Sequence, residues 1–273
     1  MSSELSDLDG VRGAHFVQSL ERGLAVIRAF GADTPQLTLS DAARATGLTR
    51  AATRRFLLTL ADLGYVRTDG RLFALTPRVL ELGYAFLSSV ELPDVAEPHL
   101  ERLVAEVHES SSVSVLDGDE IVYVARVPTA RIMRVSINLG TRFPAYATSM
   151  GRVMLAALPE EALDAHLARV ELRRLSPRTI TAESALRAEL ARIHAEGWAL
   201  VDQELEEGLR SIAAPIRDRG GRVVAAVNLS AHASRTSIDS MRRELLPQLL
   251  ATAARIEDDL RSAAASGPSR TAS

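Results

Sequence analysis

Between Val17 and Leu75 the chain sets out an order of elements that strongly limits its fold: helix, helix, tight turn, helix, hairpin. Val17, Leu20, Leu24, Ile27 and Phe30 recur at helical spacing and predict an amphipathic helix over 17–30, closed by Gly31. Thr38 stands three residues before Asp41, a variant of the capping box, and opens a short helix that runs to Thr46 before Gly47 breaks it. Thr49 is the expected N-cap of a longer helix over 50–63, ending at Gly64. Extended runs at 65–68 and 72–75 flank Asp69-Gly70, a strong hairpin signal.

On the helix 50–63, Ala52, Phe56, Leu60 and Leu63 are expected to share the packed face. Arg50, Ala51 and Arg54 fall opposite, with Arg55 at the margin. A small residue between two arginines lets a helix press into a major groove while guanidinium forks reach guanine edges or phosphates. Thr49 and Thr53, at the start of the same helix, join this contact set. Arg67 and Arg71 lie on the two arms of the hairpin, placed as a wing for the backbone or the minor groove. The charge pattern agrees. No lysine occurs, so all 32 basic residues are arginines, and residues 44–78 carry seven of them against Asp62 and Asp69. Residues 91–273 carry 22 arginines against 26 acids. A compact basic segment in an otherwise acidic chain is the electrostatic footprint of a nucleic-acid reader. A lone arginine face is more often merely solvated; here turn, hairpin and charge coincide, and double-stranded DNA is the expected partner. Phosphate neutralisation would supply most of the affinity and little of the specificity.

The 273 residues leave room for a second domain. Hydrophobic residues are 47% and aromatics only 4%, so the core is aliphatic. Absence of cysteine excludes disulfides, thiolate metal sites and cysteine nucleophiles. No apolar run approaches a bilayer span of about 20 residues. The acidic, serine-rich stretch from Met1 to Asp9 lacks the features of a signal peptide, so a cytoplasmic location is expected. Pro77 opens a helix over 78–88, and Ser88-Ser89 with Leu92-Pro93 loosens the chain at a domain boundary. Beyond it the pattern predicts a helix at 94–109 and strands at 111–116, 120–127 and 132–138. Helices follow at 150–157, 160–168 and 183–195, then strands at 198–202, 210–217 and 222–230, and a long helix at 237–262. Hairpins flanked by helices make this an α+β domain with an antiparallel sheet. The expected divisions are a disordered N-terminus over 1–15, a winged helix-turn-helix over 16–76, a linker helix over 77–90, a second domain over 91–262 and a disordered tail over 263–273.

Residues 16–90 resemble the winged helix-turn-helix of the IclR family of bacterial transcriptional regulators, through "VQSLERGLAVIRAF", "LTLSDAARATGLTRAATRRFLLTLADLGYV" and "FALTPRVLELG". The resemblance continues through "GTRFPAYATSMGRVMLA", "GWALVDQELEEGLRSIAAPIRDRGGRVVAAVNLS" and the final helix, covering roughly residues 16–262. Within the family the chain is most similar to the branch controlling aromatic-acid catabolism through the β-ketoadipate pathway, the protocatechuate-type regulators. The resemblance implies a GAF-like effector-binding domain over 91–262, a palindromic operator, and a dimer or tetramer. A small carboxylate is the implied effector, with contact to RNA polymerase if the protein activates. No cofactor or metal is implied. An IclR-type regulator of another carbon-source pathway is the alternative.

Two stretches of the second domain attract notice from their residues. At 147–152 (ATSMGR) small polar residues precede an apolar helix, whose first-turn amides could face a carboxylate. At 209–230, Ser211, Asn228 and Ser230 interrupt apolar strands, and the period of two puts Asn228 and Ser230 on one side. Carried over by position, the family's pocket falls on Ile132, Val135, Phe143, Ser149, Met150, Leu209, Ser211, Asn228 and Ser230, with the apolar members as walls. Ordinary core is the plain alternative for those walls. The acidic loop 202–207 departs from the family pattern in having Val201 where an acid is common; either Asp202 or Glu204 takes that role, or neither touches the ligand and the loop is a solvated charge run.

Three rival classes compete with this reading. A-T-S-M-G at 147–151 resembles a nucleophile elbow, with Asp202 and His232 following in order, so Ser149 is the remote candidate for a serine hydrolase. An elbow needs a mostly parallel sheet, and that reading leaves the basic module unexplained. The six histidines lack the paired spacing of zinc sites, and His99 and His108 are expected at the surface. A dimeric scaffold without a ligand is the third class, since the helices at 17–30 and 78–88 carry more apolar surface than so small a domain can cover.

Overall fold

The computed structural model describes residues 15–31, 34–82, 92–129 and 137–263. The chain divides into two compact units, 1–89 and 90–273. In the first, α1 (Gln18–Arg28), α2 (Leu39–Thr46) and α3 (Arg50–Asp62) surround a small core of Val26, Leu37, Ala42, Leu57, Leu60, Val66 and Phe73. Thr38 and Asp41 form a reciprocal capping box on α2, and Gly47 at φ 67° ends it in the left-handed conformation that only glycine adopts cheaply. Strands β1 (Leu37–Thr38), β2 (Val66–Thr68) and β3 (Leu72–Leu75) make an antiparallel sheet in the order β1-β3-β2. At the hairpin tip the Asp69 carboxylate accepts from the amides of Leu72 (2.8 Å) and Arg71 (2.9 Å), bonds that hold its pKa below the usual carboxylate value.

The packing of α3 differs in part from expectation. The buried members of its packed face are Thr53, Leu57 and Leu60; Phe56 packs against them half-buried, Ala52 is half-buried, and Leu63, expected on this face, is exposed. On α1 Val26 is fully buried and Ile27 packs beside it, while Val17, Leu20 and Leu24 form an exposed apolar stripe, Leu20 at 63%, in keeping with the excess apolar surface expected of this helix. After β3 comes a 3₁₀ turn, Pro77–Leu80, where a regular helix was expected. Most of that expected linker helix, with Tyr84 and Leu87, lies outside the described residues.

The second unit is one antiparallel sheet with helices on both faces. Its strands are β4 (Ser110–Asp117), β5 (Glu120–Val127), β6 (Arg142–Pro144), β7 (Ala199–Asp202), β8 (Leu209–Arg217) and β9 (Val223–His232). They run in the order β6-β5-β4-β9-β8-β7. The first helix of the unit, α4 (Leu92–Val107), covers one face together with the C-terminal helix. The other face carries α5 (Ser149–Ala156), α6 (Glu160–Arg169) and α7 (Glu183–Glu196). The C-terminal helix is not continuous in type: α8 (Ile238–Ser240) passes through a π-helical turn, Met241–Leu245, into α9 (Leu246–Ala263). Strand β6 was not anticipated, and the strand expected at 132–138 falls mostly outside the described residues. So do the terminal segments expected to be disordered.

The sheet has a bulge between β4 and β5, where Val113 faces Ala125 but Ser114 faces Tyr123. Ala125 and Val127 pack towards α4, so Arg126 between them emerges on the face that carries α5.

Candidate functional site

The candidate DNA surface is built by α3 and the β2–β3 hairpin. Thr49 caps α3 by accepting from the Ala52 amide at 3.2 Å, which fixes the direction in which the helix starts. Arg50, Ala51, Arg54 and Arg55 are all exposed along one side, and Arg67 and Arg71 are exposed on the wing. Arg50 is already oriented, donating to the Ser40 hydroxyl on α2 at 2.9 Å. Thr53 does not belong to this surface. It is 0% exposed, and its hydroxyl donates to the Thr49 carbonyl at 3.0 Å, so its role is packing.

The candidate effector cavity lies between the sheet and the N-terminus of α5. Of the sequence-predicted residues, Ser149, Met150, Leu209, Ser211, Asn228 and Ser230 all line it. Its polar members touch one another: Ser149 Oγ is 2.7 Å from Ser211 Oγ, and the Asn228 amide nitrogen donates to Ser211 and Ser230, both at 3.0 Å. Strand register explains the meeting, because Ser211 on β8 faces Ser230 on β9. The Asn228 carboxamide oxygen is buried with no hydrogen-bond partner among the described residues. An acceptor left unpaired in this way costs free energy until a donor reaches it.

Ile132 and Val135 lie outside the described residues. Phe143 does not line the cavity; it packs edge-on against Tyr123, ring centroids 5.9 Å apart, and so supports a wall from behind. Tyr123, Ile137, Ala147, Thr148, Val201 and Leu205 line the cavity and were missed. Burial pushes the Tyr123 hydroxyl up to about 12, which keeps it neutral. Thr148 is the N-cap of α5 and accepts from the Gly151 amide at 3.2 Å, satisfying one first-turn donor internally. The cavity volume is about 20 Å³, room for roughly one water molecule. Admission of an aromatic acid therefore requires Met150, Leu205 and Leu209 to repack, as flexible aliphatic side chains can.

Neither acid proposed in the 202–207 loop faces the cavity. Glu204 is paired with Arg152, and Asp202 is held by Arg178 and Arg210. The elbow constellation does not assemble either: Ser149 is bonded to Ser211, while His232 Nδ1 is 2.7 Å from Ser234 Oγ. His99 is buried rather than at the surface, its Nε2 2.7 Å from an Asp259 oxygen on α9. Among the described residues no group of acids and histidines could hold a metal ion. No described helix is long and apolar enough to cross a membrane.

Comparison with known proteins covers both units of the chain. Residues 19–70 match the family model for the IclR helix-turn-helix domain, and residues 84–258 match the model for the bacterial transcriptional regulator IclR C-terminal domain. The Pca regulon regulatory protein of Pseudomonas putida is 45% identical over 86% of this chain and 81% of its own length. The p-hydroxybenzoate hydroxylase transcriptional activator of Acinetobacter baylyi is 38% identical over 89% of this chain and 92% of its own. Among solved structures, a transcriptional regulator from Rhodococcus sp. RHA1 superposes with a TM-score of 0.80 at 60% identity, covering 90% of this chain and 98% of that one. An IclR homologue from Microbacterium hydrocarbonoxydans, crystallised with 4-hydroxybenzoate, gives a TM-score of 0.79 at 27% identity, covering 89% and 99%.

Proposed function

Because the chain belongs to the IclR family of bacterial transcriptional regulators, we propose that it controls genes of aromatic-acid catabolism of the pca/pob type in response to a small aromatic carboxylate. The observation that carries the effector half is the convergence of Ser149, Ser211, Asn228 and Ser230 on one cavity with aliphatic walls. Hydroxyls and an unpaired amide oxygen suit a ligand bearing its own hydroxyl, and the aliphatic walls suit a ring. The 4-hydroxybenzoate in the Microbacterium homologue supports that class of ligand.

On the DNA side, α3 enters a major groove, with Arg50 and Arg54 at base edges or phosphates and the wing at the backbone. The exposed stripe of Val17, Leu20 and Leu24 pairs two copies, so that two recognition helices meet a palindromic operator in a dimer or dimer of dimers. An effector then acts by its differential affinity for two arrangements of the paired modules. The protein works in the cytoplasm, and as an activator it would also contact RNA polymerase.

Ser211→Leu tests the cavity. Filling it should abolish the shift of operator affinity caused by 4-hydroxybenzoate while leaving DNA binding intact. An unchanged response would move the effector elsewhere.

A further inference from the structure

Arg126 on β5 is a cation in an unusual setting. It is partly buried, and among the described residues no carboxylate neutralises it; its hydrogen bond is to the Ser112 hydroxyl at 3.2 Å. Burial of the guanidinium pushes its pKa down from the ordinary value, the mark of a charge lacking compensation. A structural arginine in such a place is normally matched by an acid, as Arg152 is by Glu204.

Its position in the sheet says what could compensate it. Arg126 faces Ser112 on β4, and Ser112 in turn faces Asn228 on β9. The neighbouring row repeats the chemistry: Ser110 on β4 faces Ser230 on β9, which faces Ser211 on β8. The strand residues that line the cavity include Ser211 on β8, Asn228 and Ser230 on β9 and Tyr123 on β5, and Ser112 and Arg126 continue the polar row of Asn228 by one and two strands on the same face. Tyr123, which does line the cavity, is near enough for the Arg126 charge to act on its hydroxyl. From β8 to β5 is three strand spacings, roughly 14 Å between backbones, and the arginine side chain reaches back across part of it. The remainder is about the length of one substituted ring, which the repacking of Met150, Leu205 and Leu209 would have to open.

We infer that Arg126 takes the carboxylate of the effector in its guanidinium fork, while Ser211 and Asn228, at the other end of the polar floor, take the ring hydroxyl. This rests on the proposed effector reading and deepens it. It also moves the acid group away from the first turn of α5, where Thr148 already occupies a donor. The carboxylate exchanges for the Ser112 contact and supplies the counter-charge that the fold leaves out. A fork-to-carboxylate pair is geometrically specific, so lysine is a poor substitute.

The test uses the full-length protein and two probes, 4-hydroxybenzoate and its neutral amide, 4-hydroxybenzamide, followed by isothermal titration calorimetry. The parent should prefer the acid. In Arg126→Met the acid should lose about 10-fold or more in affinity, falling to the level of the amide. The amide should bind the variant as well as the parent, which shows that the cavity is intact, and Arg126→Lys should restore only part of the preference. Undiminished preference for the acid in Arg126→Met, or equal loss of both probes, overturns the assignment and leaves the effector reading standing. Binding of neither probe by the parent overturns the effector reading itself, and this assignment with it.

Discussion

Arg152 on α5 and Glu204 in the β7–β8 loop form a two-point ion pair in the interior, with nitrogen–oxygen distances of 2.7 and 2.6 Å. Arg152 is 1% exposed and also donates to the Tyr146 carbonyl at 2.7 Å, while Glu204 accepts from the Ile180 amide at 2.9 Å. The pair ties the helix that carries Ser149 and Met150 to the loop that carries Leu205, so two parts of the cavity wall share one clasp.

Breaking that clasp from one side should be costly. Arg152→Met leaves a buried carboxylate unpaired, and the effector domain should lose about 3–5 kcal/mol. Replacing both partners, Arg152→Met with Glu204→Leu, should recover a large part of the loss. Urea unfolding followed by Trp198 checks this; it is the only tryptophan, with the guanidinium carbons of Arg192 and Arg242 at 5.3 and 5.8 Å from its ring centroid. A single variant as stable as the parent would deny the pair its structural role.

Gly151 sits where α5 presses on the preceding turn. A Cβ there would lie 2.2 Å from the Ala145 carbonyl oxygen, a backbone atom that cannot swing aside. Gly151→Ala should displace the start of α5, destabilise the domain by about 1–3 kcal/mol or more, and blunt the effector response. Thermal melting together with effector titration reads both effects.

On the DNA side, Arg50→Ala or Arg54→Ala should cost about 1–3 kcal/mol at the operator if the side chain makes a bidentate base contact. Arg67→Ala should weaken all duplexes alike and reduce the salt slope by about 1. Thr53→Val should leave affinity nearly unchanged, because that side chain is buried. Fluorescence anisotropy across a salt series separates the three.

His166 provides a pH dependence. It is almost fully buried, and burial pushes its pKa below the ordinary 6.5 more strongly than Asp119, 3.2 Å away, can raise it. The unfolded chain therefore takes up this proton more readily than the folded one. The stability that the neutral imidazole contributes is complete above pH 6.5 and is lost as pH falls through 6.5 towards the lower folded value. Urea midpoints between pH 5 and 7.5 should show this slope, and His166→Met should flatten it.

The elements of the first unit were legible because their signals are local. Thr38 with Asp41, Thr49, Gly47 and Asp69-Gly70 act on their own backbone and mark ends of elements to within a residue or two. Which face of α3 packs was less legible. Thr53 and Ala52 differ by one helical step, and a polar threonine that bonds its own helix counts as core. In the effector domain, Ser211, Asn228 and Ser230 stood out as polar residues in apolar strands. The same signal was present in Ser110, Ser112 and Ser114 at period two along β4, and it went unread. The Arg152–Glu204 clasp joins residues 52 apart and left no local trace, so from the sequence Glu204 could be read as a ligand contact or as part of a solvated run but not as an ion-pair partner. The π-helical turn at Met241–Leu245 shifts register by less than periodicity can reveal.

The central claim is that one chain couples duplex recognition through α3 to an aromatic acid bound between α5 and the sheet. Its most direct test is to map the duplexes bound by the purified full-length protein across its own genome at low ionic strength, with and without 4-hydroxybenzoate and 3,4-dihydroxybenzoate. The account predicts protection of a palindromic site beside aromatic-catabolism genes, lost on Arg50→Ala with Arg54→Ala, and altered by at least one acid. Protection that survives the double arginine variant and ignores both acids would contradict it.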